Sequence, residues 1–415
     1  MPPAAALRCL LIAVLLAYSC VIARAQVTLP ADLHIQAPDA DVPPAVAAFV
    51  GAWGNAAWAG ITPAALVVEQ VARDGTAQVI YAIGNSRQIG VTATALRLPG
   101  TIRDGVLTVQ RQTGVAEFRI TDDGELYGLF TAHSGSLVRV WLSRVPGTAA
   151  QIIATVAQPF QPIWQDIRIP EHSKLDIAAD KDIALQATLY RTALPGRQPL
   201  VVFSHGSDEL DLPGAPTTYR AEAIARFFMQ RGYDVVVPMR KGRGSSTGPL
   251  VEDSDVPYKL KVESGLEDLD AVVDHMAAQP WVDPTRIMLV GWSSGGFLSV
   301  VYAARHPDKI AGVINFAGCW MPELGGAAGA QFNRTQLSDA GRTIAVPSLW
   351  LYADNDHFWS LPAMRTIFAA FQGNGGRGQM LEFTGIPNDG HMLPLWIDKW
   401  REPVARYLQG VDGGG

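Results

Sequence analysis

Cysteine is nearly absent: 415 residues hold three, Cys9, Cys20 and Cys319. Two of them fall in a stretch that reads as an export leader. Arg8 gives it a positive start, Cys9 to Ala17 is apolar, and Ala23-Arg24-Ala25 forms an A-x-A-like cleavage site before Gln26. Cleavage of residues 1–25 leaves Cys319 alone, which excludes an internal disulfide. Lipidation at Cys20 is the alternative fate of this segment. The apolar run from Cys9 to Ile22 is shorter than the ~20 residues that span a bilayer. The expectation is a periplasmic or secreted protein with no stable membrane span after cleavage.

Basic charge is also scarce. Thirty-three Lys and Arg stand against 39 Asp and Glu, a net charge of -6, so nothing electrostatic favours nucleic acid. No His or Cys residues cluster at metal-ligand spacing, so the metal expectation is none. Repeats are missing, and low complexity is confined to Gly413-Gly414-Gly415. What is present is a folding composition, 48% hydrophobic against 17% charged. A small molecule is the expected partner.

Two halves of the chain follow different periodicities. From Phe49 to Val145 apolar runs are joined at Asp74-Gly75, Asp104-Gly105 and Asp123-Gly124, and Asp-Gly between alternating strands signals a hairpin turn. Residues 30–150 therefore read as an antiparallel meander, a small β barrel or sandwich. Beyond the Pro-containing stretch from Val156 to Pro162, strands such as "LVVFSHG", "YDVVVPM", "RIMLVGWS", "AGVINFAG" and "PSLWLYAD" alternate with amphipathic helices. That alternation predicts an α/β domain over 160–415 with a mostly parallel sheet of eight strands. "WQDIRI" and "ALQATLYR" read as an antiparallel pair that starts it.

Parallel sheets bind ligands beyond the carboxyl ends of their strands. At one such end stands Gly291-Trp292-Ser293-Ser294-Gly295, a G-x-S-x-G turn whose central Ser293 is the candidate nucleophile. Ser294 opens the next helix, where its backbone N–H can face a developing oxyanion. A serine nucleophile needs a base, and the base needs an acceptor that fixes its tautomer. Asp354 and Asp356 both follow the strand "SLWLYA", and His391 lies in the Gly-flanked loop "NDGHMLP". Of the eight histidines, His391 alone sits between the last strand and the last helix, and His357 adjoins the acid as a possible decoy.

From about Gln165 onward this constellation resembles the α/β-hydrolases of the dienelactone-hydrolase-like group. The resemblance implies that the acid follows its strand as a small residue, two spacers and Asp, which Ala353-Asp354-Asn355-Asp356 matches at Asp356. It also implies that His205-Gly206 begins the oxyanion loop, with Ser207 offering the second backbone N–H and His205 structural. Members named for dienelactone cleavage resemble G-x-C-x-G proteins, whereas this chain has Ser293. Trp320 and Met321, after the strand that ends near Gly318, are candidates for an acyl pocket. Gly242 to Ser246 lacks a P-loop ending and is expected near the entrance of the site.

The reading is an exported carboxylic ester hydrolase with a Ser293-His391-Asp356 triad and no cofactor. Two alternatives stay open. One is a serine peptidase related to prolyl oligopeptidases, whose usual propeller needs more strands than the β segment supplies. The other is a binding protein with a vestigial hydrolase domain. No partner for the β domain is legible.

Overall fold

The computed structural model describes residues 27–58, 60, 62–86, 90–121, 124–135, 137–158, 163–176, 181–192, 194–207, 218–252, 254–320 and 326–412. Residues 1–26, with Cys9, Cys20 and the expected leader, lie outside these residues, as do Asp123 and Met321. The chain divides into two compact units, Met1–Pro162 and Ile163–Gly415.

In the first unit eight antiparallel strands follow one another around a closed barrel: β1 (Gly51–Trp58), β2 (Thr62–Val71), β3 (Thr76–Ile83), β4 (Thr94–Arg103), β5 (Val106–Arg111), β6 (Gly114–Ile120), β7 (Leu126–Ala132) and β8 (Leu137–Val145). Each pairs with its sequence neighbour, and β8 returns to β1 with Ala52 opposite Val145. The sequence left barrel and sandwich open; closure makes it a barrel. The β4–β5 hairpin turns on Asp104 and Gly105, both at positive φ (48° and 73°), the twist that a two-residue hairpin loop requires.

Inward positions alternate along the strands and form one core that includes Trp53, Leu66, Val79, Leu107, Phe118 and Leu142. Strands β1 to β3 are apolar on their other face too. Ala52, Val67 and Ile80 there pack under Val27, Leu29 and Leu33 of the preceding segment and under Ile152 and Val156 of helix α1 (Ala149–Val156). Burial on both faces is why "AALVV" runs apolar without alternation.

The second unit is an α/β-hydrolase domain built on a mixed eight-stranded sheet. Its strands are β9 (Trp164–His172), β10 (Asp182–Tyr190), β11 (Gln198–Ser204), β12 (Asp234–Pro238), β13 (Val282–Trp292), β14 (Gly312–Phe316), β15 (Ser348–Ala353) and β16 (Gly378–Phe383), in the order β16-β15-β14-β13-β11-β12-β10-β9. The β9–β10 pair is antiparallel, as is β10–β12, and every other pairing is parallel. Strands β11, β12, β14 and β15 are buried along their whole length, as expected of a sheet covered on both faces.

The covering helices are α2 (Glu222–Met229), α3 (Tyr258–Ala277), α4 (Ser294–Arg305), α5 (Gly326–Ala340), α6 (Leu361–Gly373) and α7 (Ile397–Asp412). Strand β11 has β12 on one side and β13 on the other, so the order of the chain reverses there. The crevice beyond such a reversal is where open α/β sheets place ligands. Ser204 at the end of β11 lies opposite Gly291 at the end of β13, which sets His205, Gly206 and Ser207 beside Trp292, Ser293 and Ser294.

Candidate active site

Ser293 sits in the tight joint between β13 and α4 with φ 55° and ψ -125°, a backbone conformation that L-residues avoid unless their surroundings impose it. Those surroundings are fixed from both sides. The Ser293 N–H donates to the Phe316 carbonyl at the end of β14 (3.0 Å), and the Ser293 carbonyl accepts from Phe297 N–H (3.1 Å). The flanking glycines allow the close approach: a Cβ on Gly291 would stand 2.2 Å from the Gly295 oxygen, and one on Gly295 would stand 2.1 Å from the Ser204 oxygen.

Asp356 and His391 come together from separate loops. Asp356, just beyond β15, has a fully buried side chain whose Oδ2 lies 3.0 Å from His391 Nδ1. Its Oδ1 accepts from the backbone N–H groups of Phe358 (2.9 Å) and Trp359 (3.1 Å), so the carboxylate is aimed before it meets the imidazole. Asp354 is exposed. His391 enters a short 3-10 turn, Gly390–Leu395, that Asp389 caps by accepting the His391 N–H (2.9 Å). Its carbonyl accepts from Trp292 Nε1 (2.8 Å), which ties the loop of His391 to the residue before Ser293.

The sequence reading missed Asp389, although an Asp immediately before a turn is a cap signal. The same carboxylate bonds Nδ1 of His357, so the histidine beside the acid is engaged by a different partner. The rings of His357 and His391 are 6.4 Å apart, with Phe358 packed on His391 at 4.5 Å.

Ser207 stands next to Ser294, their Oγ atoms 2.8 Å apart. Ser294 is the first residue of α4, where N–H groups lack intrahelical acceptors. The sequence assigned Ser294 only a backbone role, but Arg240 Nη2 also donates to its hydroxyl (3.3 Å). His205 is fully buried; burial, with the charge of Arg240 beside it, pushes its imidazole well below the usual value. Its Nε2 accepts from the Arg240 N–H (3.2 Å), so the proton of the neutral ring is on Nδ1, which donates to the Gly206 carbonyl (2.6 Å).

The Gly242 to Ser246 loop, expected near the entrance, is anchored inward: Arg243 and Ser246 are buried, and Ser246 Oγ donates to the Met239 carbonyl (2.7 Å). Trp320 has no exposed surface. Its backbone is clamped at both ends by the Asn333 amide (2.7 and 2.8 Å) and its ring packs on Phe297. Burial pushes the Cys319 thiol well up, away from the thiolate that nucleophilic chemistry needs. A cavity of about 320 Å³ lined by Glu171, His172, Glu267, Asp270 and His275 contains none of the three triad candidates.

Residues 213–388 match the model of the Dienelactone hydrolase family. Among curated relatives, the chain is 31% identical over 114 residues to a carboxymethylenebutenolidase of a Pseudomonas species, covering 28% of this chain and 41% of that protein. It is 27% identical over 129 residues to poly(3-hydroxyalkanoate) depolymerase C of Paucimonas lemoignei, covering 31% of this chain and 29% of the relative. The chain thus spans less than half the length of either relative. Among solved structures it is similar to Est1E from Butyrivibrio proteoclasticus at 18% identity and a TM-score of 0.42, covering 60% of this chain and 99% of that one.

Proposed function

From the dienelactone hydrolase family domain that this chain carries over residues 213–388, we propose a serine hydrolase that cleaves carboxylic esters through an acyl-enzyme. The observation that carries the reading is the convergence of a strained Ser293 with the Asp356–His391 pair, tied by the Trp292 to His391 hydrogen bond. Ser293 Oγ attacks the ester carbonyl while neutral His391 takes its proton. Asp356, already holding Nδ1, keeps the tautomer and stabilises the imidazolium. The backbone N–H groups of Ser294 and Ser207 receive the oxyanion. His391 returns the proton to the leaving alcohol, and water then releases the acid by the same steps.

The family is named for hydrolysis of a lactone, which is itself an ester, and that supports an ester over a peptide. The closed barrel supports the same choice, since a propeller is the usual companion of the related peptidases. Of the two residues expected at the acyl side, Trp320 has no exposed surface, so the proposed border rests on Met321, and no cofactor enters the reaction. Export is part of the proposal and rests on the leader pattern through Ala25. Among the described residues no helix is long and apolar enough to cross a membrane.

A fluorophosphonate probe tests the reading: the full chain should gain one phosphonyl group, and peptide mass mapping should place it on Ser293. An unlabelled protein would favour a vestigial domain with a binding role.

A further inference from the structure

Arg240 follows β12 in a loop the proposed reaction does not use, yet its side chain is 6% exposed and reaches across the site. Nη1 donates to the His205 carbonyl (2.6 Å), and Nη2 donates to the Gly206 carbonyl (3.0 Å) and to Ser294 Oγ (3.3 Å). Glu252, 7% exposed, accepts from Arg240 Nη2 (3.2 Å), forms an ion pair with the guanidinium, and also accepts from Arg243 Nε (3.0 Å). A buried ion pair is costly to assemble and weak evidence for stability by itself. Here the hydrogen-bonding directions show what the pair organises.

The peptide bonds among the described residues are trans, and in a trans peptide the C=O and N–H of one unit point to opposite sides. The Gly206 C=O is turned onto Arg240, so the Ser207 N–H in the same unit is turned away from it. The His205 C=O is held by the same guanidinium, which fixes the preceding unit. Through Ser294 Oγ, itself 2.8 Å from Ser207 Oγ, the spacing between the two N–H donors is fixed as well.

We propose that Arg240 is the positioning residue of the oxyanion site: one guanidinium binds the His205 and Gly206 carbonyls and the Ser294 hydroxyl together, and thereby aims the Ser207 and Ser294 N–H groups at a single point. This rests on the hydrolase reading above. A planar fork holds these acceptors in fixed directions, whereas an ammonium, though it too has three N–H donors, is a point charge on a flexible stem and leaves their directions free. Arg240 touches no reacting atom, and its effect is to spare the donors any reorganisation when the oxyanion forms.

The test uses the full chain with Arg240→Lys and Arg240→Gln, following ester hydrolysis per molecule that the fluorophosphonate titrates. Loss of one oxyanion donor costs roughly 10² to 10³ in kcat, so misaimed donors should cost about 10-fold to 10²-fold. KM should stay nearly constant, because the contact matters only in the transition state. A merely structural role would lower the melting temperature and the titratable fraction while leaving kcat per titrated molecule unchanged, and that result would overturn the proposal. Should neither Arg240 variant fold, Glu252→Gln, which keeps the shape but releases the guanidinium, should lower kcat at constant KM, and an unchanged kcat would overturn the proposal. A wild type that is not labelled at Ser293 would overturn the hydrolase reading and this inference with it. A labelled wild type beside variants of normal kcat would overturn the inference alone.

Discussion

Trp292 Nε1 donates to the carbonyl of His391 across 99 residues of sequence. The residue that precedes the proposed nucleophile therefore sets the height of the loop that carries the proposed base. A buried hydrogen bond of this kind contributes about 1 kcal/mol, but its catalytic weight is larger because a displacement of about 1 Å can cost 10²-fold in rate. Trp292→Phe should lower kcat on a small ester by roughly 10-fold or more with only a modest fall in melting temperature. Kinetics and a thermal melt on the same sample check both.

Ser293→Ala should reduce ester turnover by several orders of magnitude, leaving the roughly 10³ to 10⁴ over water that binding and oxyanion donors supply. Ser294→Ala should fall between that variant and wild type. Its backbone N–H survives, but its hydroxyl no longer meets Ser207 Oγ and Arg240. Equal losses in the two variants would refute the choice of nucleophile.

Asp356→Asn should cost about 10⁴ in kcat, because an amide favours the wrong tautomer of His391. Asp354→Asn, at an exposed position, should leave kcat within about twofold of wild type, in line with the small effects of surface substitutions. Steady-state rates on one ester rank the two variants, and the reverse ranking would move the acid to Asp354.

His205 should make the fold sensitive to acid. Its folded pKa lies well below the ordinary 6.5, so below that pH the unfolded chain binds a proton that the folded chain refuses. Stability is therefore lost as pH falls, by up to about 1.4 kcal/mol per unit from this one group. In His205→Gln that contribution is gone. Urea unfolding at about pH 7.5 and about 5.5 should show the stability gap between wild type and variant narrowing at the lower pH. A constant or widening gap would mean that the ring is protonated in the fold.

A truncated chain beginning at Ile163, where the second compact unit starts, should fold and retain kcat on a small soluble ester. None of the proposed catalytic residues precedes that point. Cooperative melting with no activity on any ester that the full chain cleaves would show that the barrel unit completes the site.

Local pattern carried much of this architecture. Asp104-Gly105 announced its hairpin because only certain residues tolerate two successive positive φ angles, and the alternation of buried strands with helices announced the sheet. The sequence also singled out His391, and the family resemblance chose Asp356 over Asp354; the fold brings the Asp356 and His391 side chains to 3.0 Å. Barrel closure was not legible, because it depends on Ala52 meeting Val145, a pairing between distant segments that no local period encodes. Arg240 was missed for a related reason. In sequence it is one cation in a Gly-rich loop, and its meaning comes from carbonyls that lie 34 and 35 residues earlier.

Closure of the barrel restricts how the first unit can be recognised. An open sheet offers a row of unpaired N–H and C=O groups onto which an extended peptide can add as one more strand. With β8 returned to β1 the ring is closed, and among the described residues a stretch such as Thr94–Pro99 of β4, which runs beyond its pairing with β5, is paired on one side only. Where the strands are paired on both sides, a macromolecule that docks on this unit meets side chains on its outer wall or rims, where charge and shape discriminate among partners, instead of backbone, which is alike in every sequence.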